Sequence, residues 1–398
     1  MMVVETEQAG RRERQRADPD PASPARTWTD DTRDRVRAVV DETVRRRCAE
    51  HVHSMPGAGF VTDVLVDFVS RGKYLRSMFG YLGWRCAAPE SAAALHAVAG
   101  LELLHAFALL QDDVMDGSRL RRGNPTVHVQ LAGWHRSRQL SGDPDRFGES
   151  GATLLADLCL VWAEQAMRES GLPRTALDRG WPRYDTMRSE LAVGQFADLL
   201  NDARRTPAFD DVLDVLRRKS GNYTVRRPLE LGAAMAGADD DLLALLGDYG
   251  TMVGEAFQMR DDVLGVFGTD ATGKPTGDDL AERKATSLVV LARELADDGT
   301  RDRLDALLHG PGPADPAGRP DSPAGPGSTV GPGSTVDVPA ARTLIEATGA
   351  RRRLEELITT RVEGALRLVD GAVAEGRLPD DVAAVLRAMA VRCADRIA

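Results

Sequence analysis

The sequence predicts an all-α fold, a large helical bundle with a central apolar cavity, and three observations predict it. Apolar residues recur at spacings of three and four, in Leu95, Val98, Ala99, Leu103 and Ala106 and again in Leu242, Leu243, Leu246, Tyr249 and Val253. Alternating β-branched runs are nearly absent, and aromatic residues make up only 5% of a chain that is 42% hydrophobic. The core is therefore expected to be aliphatic and helical, with polar chemistry placed inside on facing helices. The 398 residues allow one large domain or two ordinary ones.

In chain order, residues 1–30 mix Arg, Asp, Pro and Ala without periodicity. That composition does not repay its ordering entropy, so a disordered tail is expected. Arg11, Arg12, Arg14 and Arg16 lead into no apolar stretch, so the start is not read as a secretory signal. Helices are expected to cover most of 32–398, within a single all-α domain over 31–398. Residues 141–151 read as a loop between helices. Residues 311–339 hold eight prolines and a tandem Gly-Pro-Gly-Ser-Thr-Val repeat at 325–330 and 331–336, the composition of a flexible surface insertion. Residues 340–398 read as closing helices.

Composition excludes several classes. With 51 Lys plus Arg against 61 Asp plus Glu the net charge is -10, which argues against a nucleic-acid partner. Any phosphate must be held by a few placed cations. Cys48, Cys86, Cys159 and Cys393 form no CxxC pair, so neither a zinc ribbon nor a disulfide framework is expected. No uninterrupted run of about 18 apolar residues is apparent, and no membrane span is expected. A soluble, cytoplasmic protein fits these observations.

The strongest local signal is Asp112, Asp113 and Asp116 at the end of an apolar helical stretch. Asp112 and Asp116 are i and i+4, which aligns two carboxylates about 6 Å apart along the axis, with His105 two turns earlier on that face. Acid at a helix C-terminus opposes the macrodipole, so a role beyond solvation is indicated. Asp261 and Asp262 form a second pair at the end of another apolar helix. Hard oxygen ligands on two facing helices suit Mg²⁺, which keeps waters and is completed by substrate phosphates. No His or Cys cluster competes for a softer metal.

The cations argue independently. Only four of the 51 basic residues are lysines, namely Lys73, Lys219, Lys274 and Lys284. In a chain so biased to Arg, Lys is expected where a compact ammonium does what a planar fork cannot. Lys73 and Lys274 follow glycines, and Lys284 comes soon after Gly277-Asp-Asp279, a setting that points to phosphate. Arg76 stands three residues after Lys73, and one helical turn is expected to close both on one anion. Arg121 and Arg122 precede Gly123-Asn-Pro125, a turn signal expected to swing both back toward the carboxylates.

These residues resemble a known family, the trans-polyprenyl diphosphate synthases. DDVMD followed by RLRRGNPT is similar to the family's first aspartate-rich motif, and FQMRDDVLG with GKPTGDDLAERKAT to its second. RGKYLRS resembles the GGKxxRP segment, GLELLH carries the substrate histidine position, and Lys219-Ser220 matches a Lys-Thr or Lys-Ser pair. The matches span residues 72–288 in the family's order, and all four lysines fall on motif positions. Gly265 departs from the pattern by replacing the last aspartate of the second motif, Arg71 the first glycine and Ser77 the proline.

The resemblance implies a homodimeric, isoprenoid-synthase-type bundle that joins isopentenyl diphosphate to allylic prenyl diphosphates with three Mg²⁺ ions. It implies that Asp112, Asp116 and Asp261 ligate Mg²⁺, with Asp113 and Asp262 in support. Arg121, Lys219, Ser220, Gln258, Lys274 and Lys284 would bind the allylic diphosphate, with Gln195 and Asp198 lining the reaction centre. Lys73, Arg76, His105 and Arg122 would bind isopentenyl diphosphate. Phe107, bulky, and Ala108, small, precede Asp112 by five and four residues and are expected to set product length. One aromatic there is associated with geranylgeranyl (C20) product; farnesyl (C15) and geranylfarnesyl (C25) are the alternatives. A class I terpene cyclase shares the acidic helices, but its NDxxSxxxE element fails here, since Asn201-Asp202 is followed by Arg205 and Phe209.

Overall fold

Capping side chains mark many of the helix starts, each satisfying an N–H that the helix itself leaves unpaired. The structure, a computed structural model, describes residues 24–204, 207–268, 277–309 and 336–395. Its helices run α1 (Pro24–His51), α2 (Ala58–Ser70), α3 (Leu75–Ala87), α4 (Ala92–Met115), α5 (Val127–Ser137), α6 (Pro144–Arg168), α7 (Arg174–Ala203) and α8 (Phe209–Val215). A π-helical segment, Leu216–Arg226, leads into α9 (Arg227–Ala236) and α10 (Asp240–Phe267). The chain closes with α11 (Asp278–Ala281), α12 (Ser287–Leu295), α13 (Asp298–His309), α14 (Val338–Thr348), α15 (Ala350–Ala374) and α16 (Asp380–Asp395). Among the described residues the only strands are β1 (Leu120–Arg121) and β2 (Asn124–Pro125), an antiparallel pair between α4 and α5. The fold is all-α, as the periodicity predicts.

Three sequence expectations change at their edges. The tail expected over 1–30 gives way to helix at Pro24, because Ala25 and Thr29 are buried and Trp28 stacks on Tyr81 with ring centroids 6.3 Å apart. Residues 1–23 lie outside the described residues. The loop expected over 141–151 is helical from Pro144, because Asp143 caps the Asp145 N–H at 2.9 Å and proline suits a first turn. Of the insertion, 311–335 lies outside the described residues, while Val338 and Pro339 already form the first turn of α14 under an Asp337 cap.

The central helix is α4, buried on most sides by α1, α2, α3 and α6. By length and composition it is apolar enough to cross a membrane, contrary to the expectation above, but 67% of that window is buried inside the molecule. It is a core helix, and its apolar sides are covered by neighbouring helices. Close packing rests on small residues. A Cβ at Gly232 of α9 would lie 1.8 Å from the Gly80 carbonyl oxygen of α3 and 2.8 Å from the Trp84 nitrogen. Gly232→Ala is therefore expected to lower stability by roughly 3 kcal/mol through forced separation of α3 and α9. The midpoint of thermal unfolding followed by circular dichroism tests this, and an unchanged midpoint would mean that the two backbones are not in contact.

Candidate active site

The apolar face of α4 delivers its three aspartates at the helix's C-terminal end, beside cations from three other elements. Asp112 Oδ1 accepts from Lys219 Nζ and from Gln195 Nε2, both at 3.2 Å. Lys219 also pairs with Asp198 of α7, so one ammonium joins α4 to α7. Arg121, on β1, reaches back to the buried Asp113 at 2.7 Å and to Asp112 at 3.5 Å. Lys284, before α12, lies 3.3 Å from Asp116 Oδ2 and 3.0 Å from Glu282.

The electrostatics differ along this row. Burial pushes the Asp112 carboxyl up, but Lys219 and Arg121 outweigh it and hold it below the usual carboxylate range. Asp116 goes the other way, raised by burial and by the Asp112 charge, with Lys284 compensating only in part. Burial opposes the charge on Lys219, yet Asp112 and Asp198 raise its pKa on balance.

Lys219 reaches the centre through the π-helical segment, and three glycines let that segment in. A Cβ at Gly194 of α7 would lie 2.6 Å from the Lys219 nitrogen, and one at Gly254 of α10 would lie 2.5 Å from the Gly221 oxygen. The segment is thus packed between two helix backbones, and the wider π turn aims Lys219 at Asp112. Ser220 is half-buried next to it.

On α10, Asp261 is half-buried, whereas Asp262 is 7% exposed and turned inward. Asp262 accepts from the Ser287 hydroxyl at 2.6 Å and the Ser287 N–H at 2.9 Å, which ties α10 to the first turn of α12. Burial pushes its carboxyl up to about 6, although those bonds pull it down. Gln258 donates to Asp262 at 3.1 Å, so in this structure it faces the helix link rather than the cleft.

A second group lies two turns back along α4. Arg76 stacks on the Tyr223 ring, 4.3 Å from its centroid, and donates to Thr224 Oγ1 at 3.0 Å. His105 packs near the same ring, 6.2 Å between centroids. Burial, then the charges of Arg76 and Arg122, hold the His105 pKa well below the ordinary histidine value, so the imidazole is neutral. Arg76 Nε and His105 Nδ1 are buried with no hydrogen-bond partner. Arg122 bonds the Arg71 carbonyl oxygen and feels the Glu102 charge.

The structure brings Asp112, Asp113, Asp116, Gln195, Asp198, Lys219, Arg121 and Lys284 together at the end of α4; besides Gln258, three expectations change or fall outside the described residues. Lys73 and Arg76 do not share a helix turn, because α3 starts only at Leu75 after Tyr74 with φ of 53°. Lys73 is exposed, and its charge acts on Cys393 of α16, while Arg76 points inward. The hairpin swings only Arg121 to the aspartates; Arg122, with φ of 52°, turns toward Arg71 and Glu102. Lys274 lies outside the described residues. Phe107 and Ala108 are half-buried against the core around α4.

Sequence reasoning missed Tyr223, the platform under Arg76, and the glycines at 194, 221 and 254. An isolated glycine inside a helical pattern signals close backbone approach, and that signal was present. Among the described residues no group of three or more acidic, His or Cys side chains lies close enough to hold a metal as it stands. The reason is visible: Asp112, Asp113 and Asp116 are each drawn to a cation of their own. The donor set nevertheless suits a hard divalent cation, being carboxylate oxygen, and the unpartnered buried Arg76 Nε–H suits an anion.

Carboxylates at the end of one core helix meet ammonium groups from distant elements, a set of groups suited to a diphosphate carried by a hard divalent cation. Residues 60–317 match the model of the polyprenyl synthetase family. The chain is 31% identical to geranylgeranyl diphosphate synthase of Mycobacterium tuberculosis over 79% of its own length and 78% of that protein. It is 32% identical to the geranylgeranyl diphosphate synthase of Sulfolobus acidocaldarius over 57% of this chain and 65% of that one. Among solved structures it is similar to geranylgeranyl pyrophosphate synthase of Corynebacterium glutamicum, complexed with isoprenyl diphosphate and magnesium. That similarity has a TM-score of 0.80 and 33% identity, and covers 92% of this chain and 99% of that one. This chain belongs to the polyprenyl synthetase family and is a prenyltransferase.

Proposed function

We propose that this enzyme condenses isopentenyl diphosphate with allylic diphosphates in the presence of Mg²⁺, ending at geranylgeranyl diphosphate (C20). The observation that carries this reading is the pairing of Asp112 with Lys219 and of Asp116 with Lys284, with the Arg76, His105 and Arg122 group two turns away. The named relatives and the magnesium complex of the Corynebacterium protein support it.

In this reading Asp112, Asp116 and Asp261 hold three Mg²⁺ ions, and Asp113 and Asp262 brace the helices that present them. The ions supply Lewis acidity toward the charge that grows on the departing diphosphate. Lys219, Lys284 and Arg121 exchange carboxylate partners for phosphate oxygens of the allylic substrate, which Lys274 also binds, with Ser220, Gln258, Gln195 and Asp198 at the edge. Arg76, Arg122 and Lys73 bind isopentenyl diphosphate, and neutral His105 contributes a hydrogen bond rather than a charge. The allylic C–O bond ionises in a water-poor cavity, the isopentenyl double bond attacks the cation, and a proton leaves, taken by the released diphosphate. A homodimer belongs to this reading, supported by the exposed apolar side chains of Leu154 and Val161 on α6.

Incubation with Mg²⁺, isopentenyl diphosphate and separate C5, C10 and C15 allylic diphosphates is expected to end at C20 alcohol after dephosphorylation. No incorporation of isopentenyl diphosphate would reject the synthase reading, and cyclic hydrocarbon from an allylic diphosphate alone would install the cyclase instead. In Phe107→Ala the chromatographed product is expected to lengthen by at least one five-carbon unit, because the half-buried ring packs against the core on α4 five residues before Asp112. A product still confined to C20 would place the floor of the cavity on another residue.

A further inference from the structure

One buried charge has no part in the reaction proposed above. Glu255 on α10 is 4% exposed and is held by two arginines. Arg217 comes from the first turn of the π-helical segment, and Arg361 of α15 donates to the other carboxylate oxygen at 2.5 Å. A carboxylate taken out of water requires such partners. The first of them stands two residues before Lys219.

Arg217 and Lys219 leave opposite sides of the segment. In a helix closed by i→i+5 bonds, residues two apart point nearly opposite ways. Arg217 accordingly reaches α10, while the Lys219 ammonium reaches Asp112 of α4 at 3.2 Å and Asp198 of α7. Two residues further on, Gly221 returns to α10. A Cβ built on Gly254 would lie 2.5 Å from the Gly221 oxygen, and one built on Gly221 would lie 3.0 Å from the Gly254 carbonyl carbon. Lys219 is thus presented by a short arc whose two feet, Arg217 and Gly221, stand on adjacent residues of α10, Glu255 and Gly254. The far end of the segment is fastened separately, by Arg226 Nε donating to the buried Glu230 at 2.9 Å. At the Lys219 end the glycine contact admits the segment, and the charge-assisted Arg217–Glu255 pair supplies the attraction that holds it there.

We infer that Glu255 is a positioning residue for the reaction: through Arg217 it fixes the first turn of the π-helical segment, and so the point at which Lys219 meets the departing diphosphate. Glu255 itself contacts neither substrate. The inference rests on the proposed role of Lys219 and adds the residue that aims it. A misplacement of about 1 Å, caused far from the chemistry, can cost about 10²-fold in rate, so the aim of this ammonium matters as much as its presence.

Double-mutant kinetics test the inference. Glu255→Gln keeps the shape and one acceptor oxygen of the buried partner. Arg217→Gln removes the other partner, whose side chain is 42% exposed, and so carries the test if the buried change prevents folding. Each is made in wild type and in Lys219→Ala, and kcat and both KM values are read from incorporation of labelled isopentenyl diphosphate, with circular dichroism melts alongside. Each single variant is expected to lower kcat by roughly tenfold to 10²-fold, with KM for isopentenyl diphosphate within about threefold of wild type. In the Lys219→Ala background the same changes are expected to cost less than about twofold further, because the side chain they aim is gone. Unchanged kcat in folded Arg217→Gln would overturn the inference. Equal losses with and without Lys219 would overturn it too, since a brace for the bundle as a whole acts independently of that one side chain. A wild-type enzyme that incorporates no isopentenyl diphosphate would reject the underlying reading, and the inference with it, before any variant is compared.

Discussion

Asp112→Asn is expected to lower kcat/KM for isopentenyl diphosphate incorporation by on the order of 10³-fold, because this carboxylate is the hub of the proposed centre. It gathers Lys219 and Gln195 at 3.2 Å and Arg121 at 3.5 Å. Asparagine keeps the shape and one acceptor oxygen but loses the charge that those cations, or a divalent ion, require. The same charge bears on stability. The folded-state pKa of Asp112 is depressed, so its contribution is present above the ordinary carboxylate range and is lost as pH falls through the folded value. Steady-state kinetics with a parallel melting curve at neutral pH separates the two effects. A variant retaining more than a tenth of wild-type kcat/KM would move the hub elsewhere, with Asp116 and Asp261 as the next candidates.

Lys219→Ala is expected to cost roughly 10²-fold to 10³-fold in kcat, the range for removing one preorganised donor to developing charge. Its ammonium lies between Asp112 and Asp198, and its removal leaves two half-buried carboxylates facing each other across α4 and α7 without their shared cation. Lys219→Arg separates charge from shape, because the planar fork cannot stand as a point charge between the two acids. Activity in that variant between wild type and the strongly reduced alanine is the expected pattern. Full activity in Lys219→Ala would demote the lysine to a bridge between helices, and a lowered melting temperature without a kinetic change would say the same.

The helical class and the two acidic segments were legible because each depends on local order. The 3.6-residue period put Leu95, Val98 and Leu103 in the core and Asp112 and Asp116 on one side, and the structure buries the former at 3% exposure or less. Starts were less legible. The helix from Pro144 carries its own cap in Asp143, a signal outweighed by the surrounding Ser, Gly, Asp and Pro. The turn at Trp28 depends on packing against Tyr81, more than fifty residues away, which no local pattern reveals.

What the sequence by itself determined was the chemistry: an all-α chain, four lysines among 51 cations, and aspartates spaced to share a helix face. Residue type and period are local properties, and they are enough for that. Only the tertiary structure decided which cation meets which carboxylate. Lys219 is 107 residues from Asp112 and Lys284 is 168 from Asp116, and Arg122 turns away from the aspartates that its neighbour Arg121 grips. Such pairings are set by close backbone contacts at Gly194 and Gly254. A missing side chain shows its meaning there only when the atom that takes its place is seen, because close packing leaves no volume unassigned.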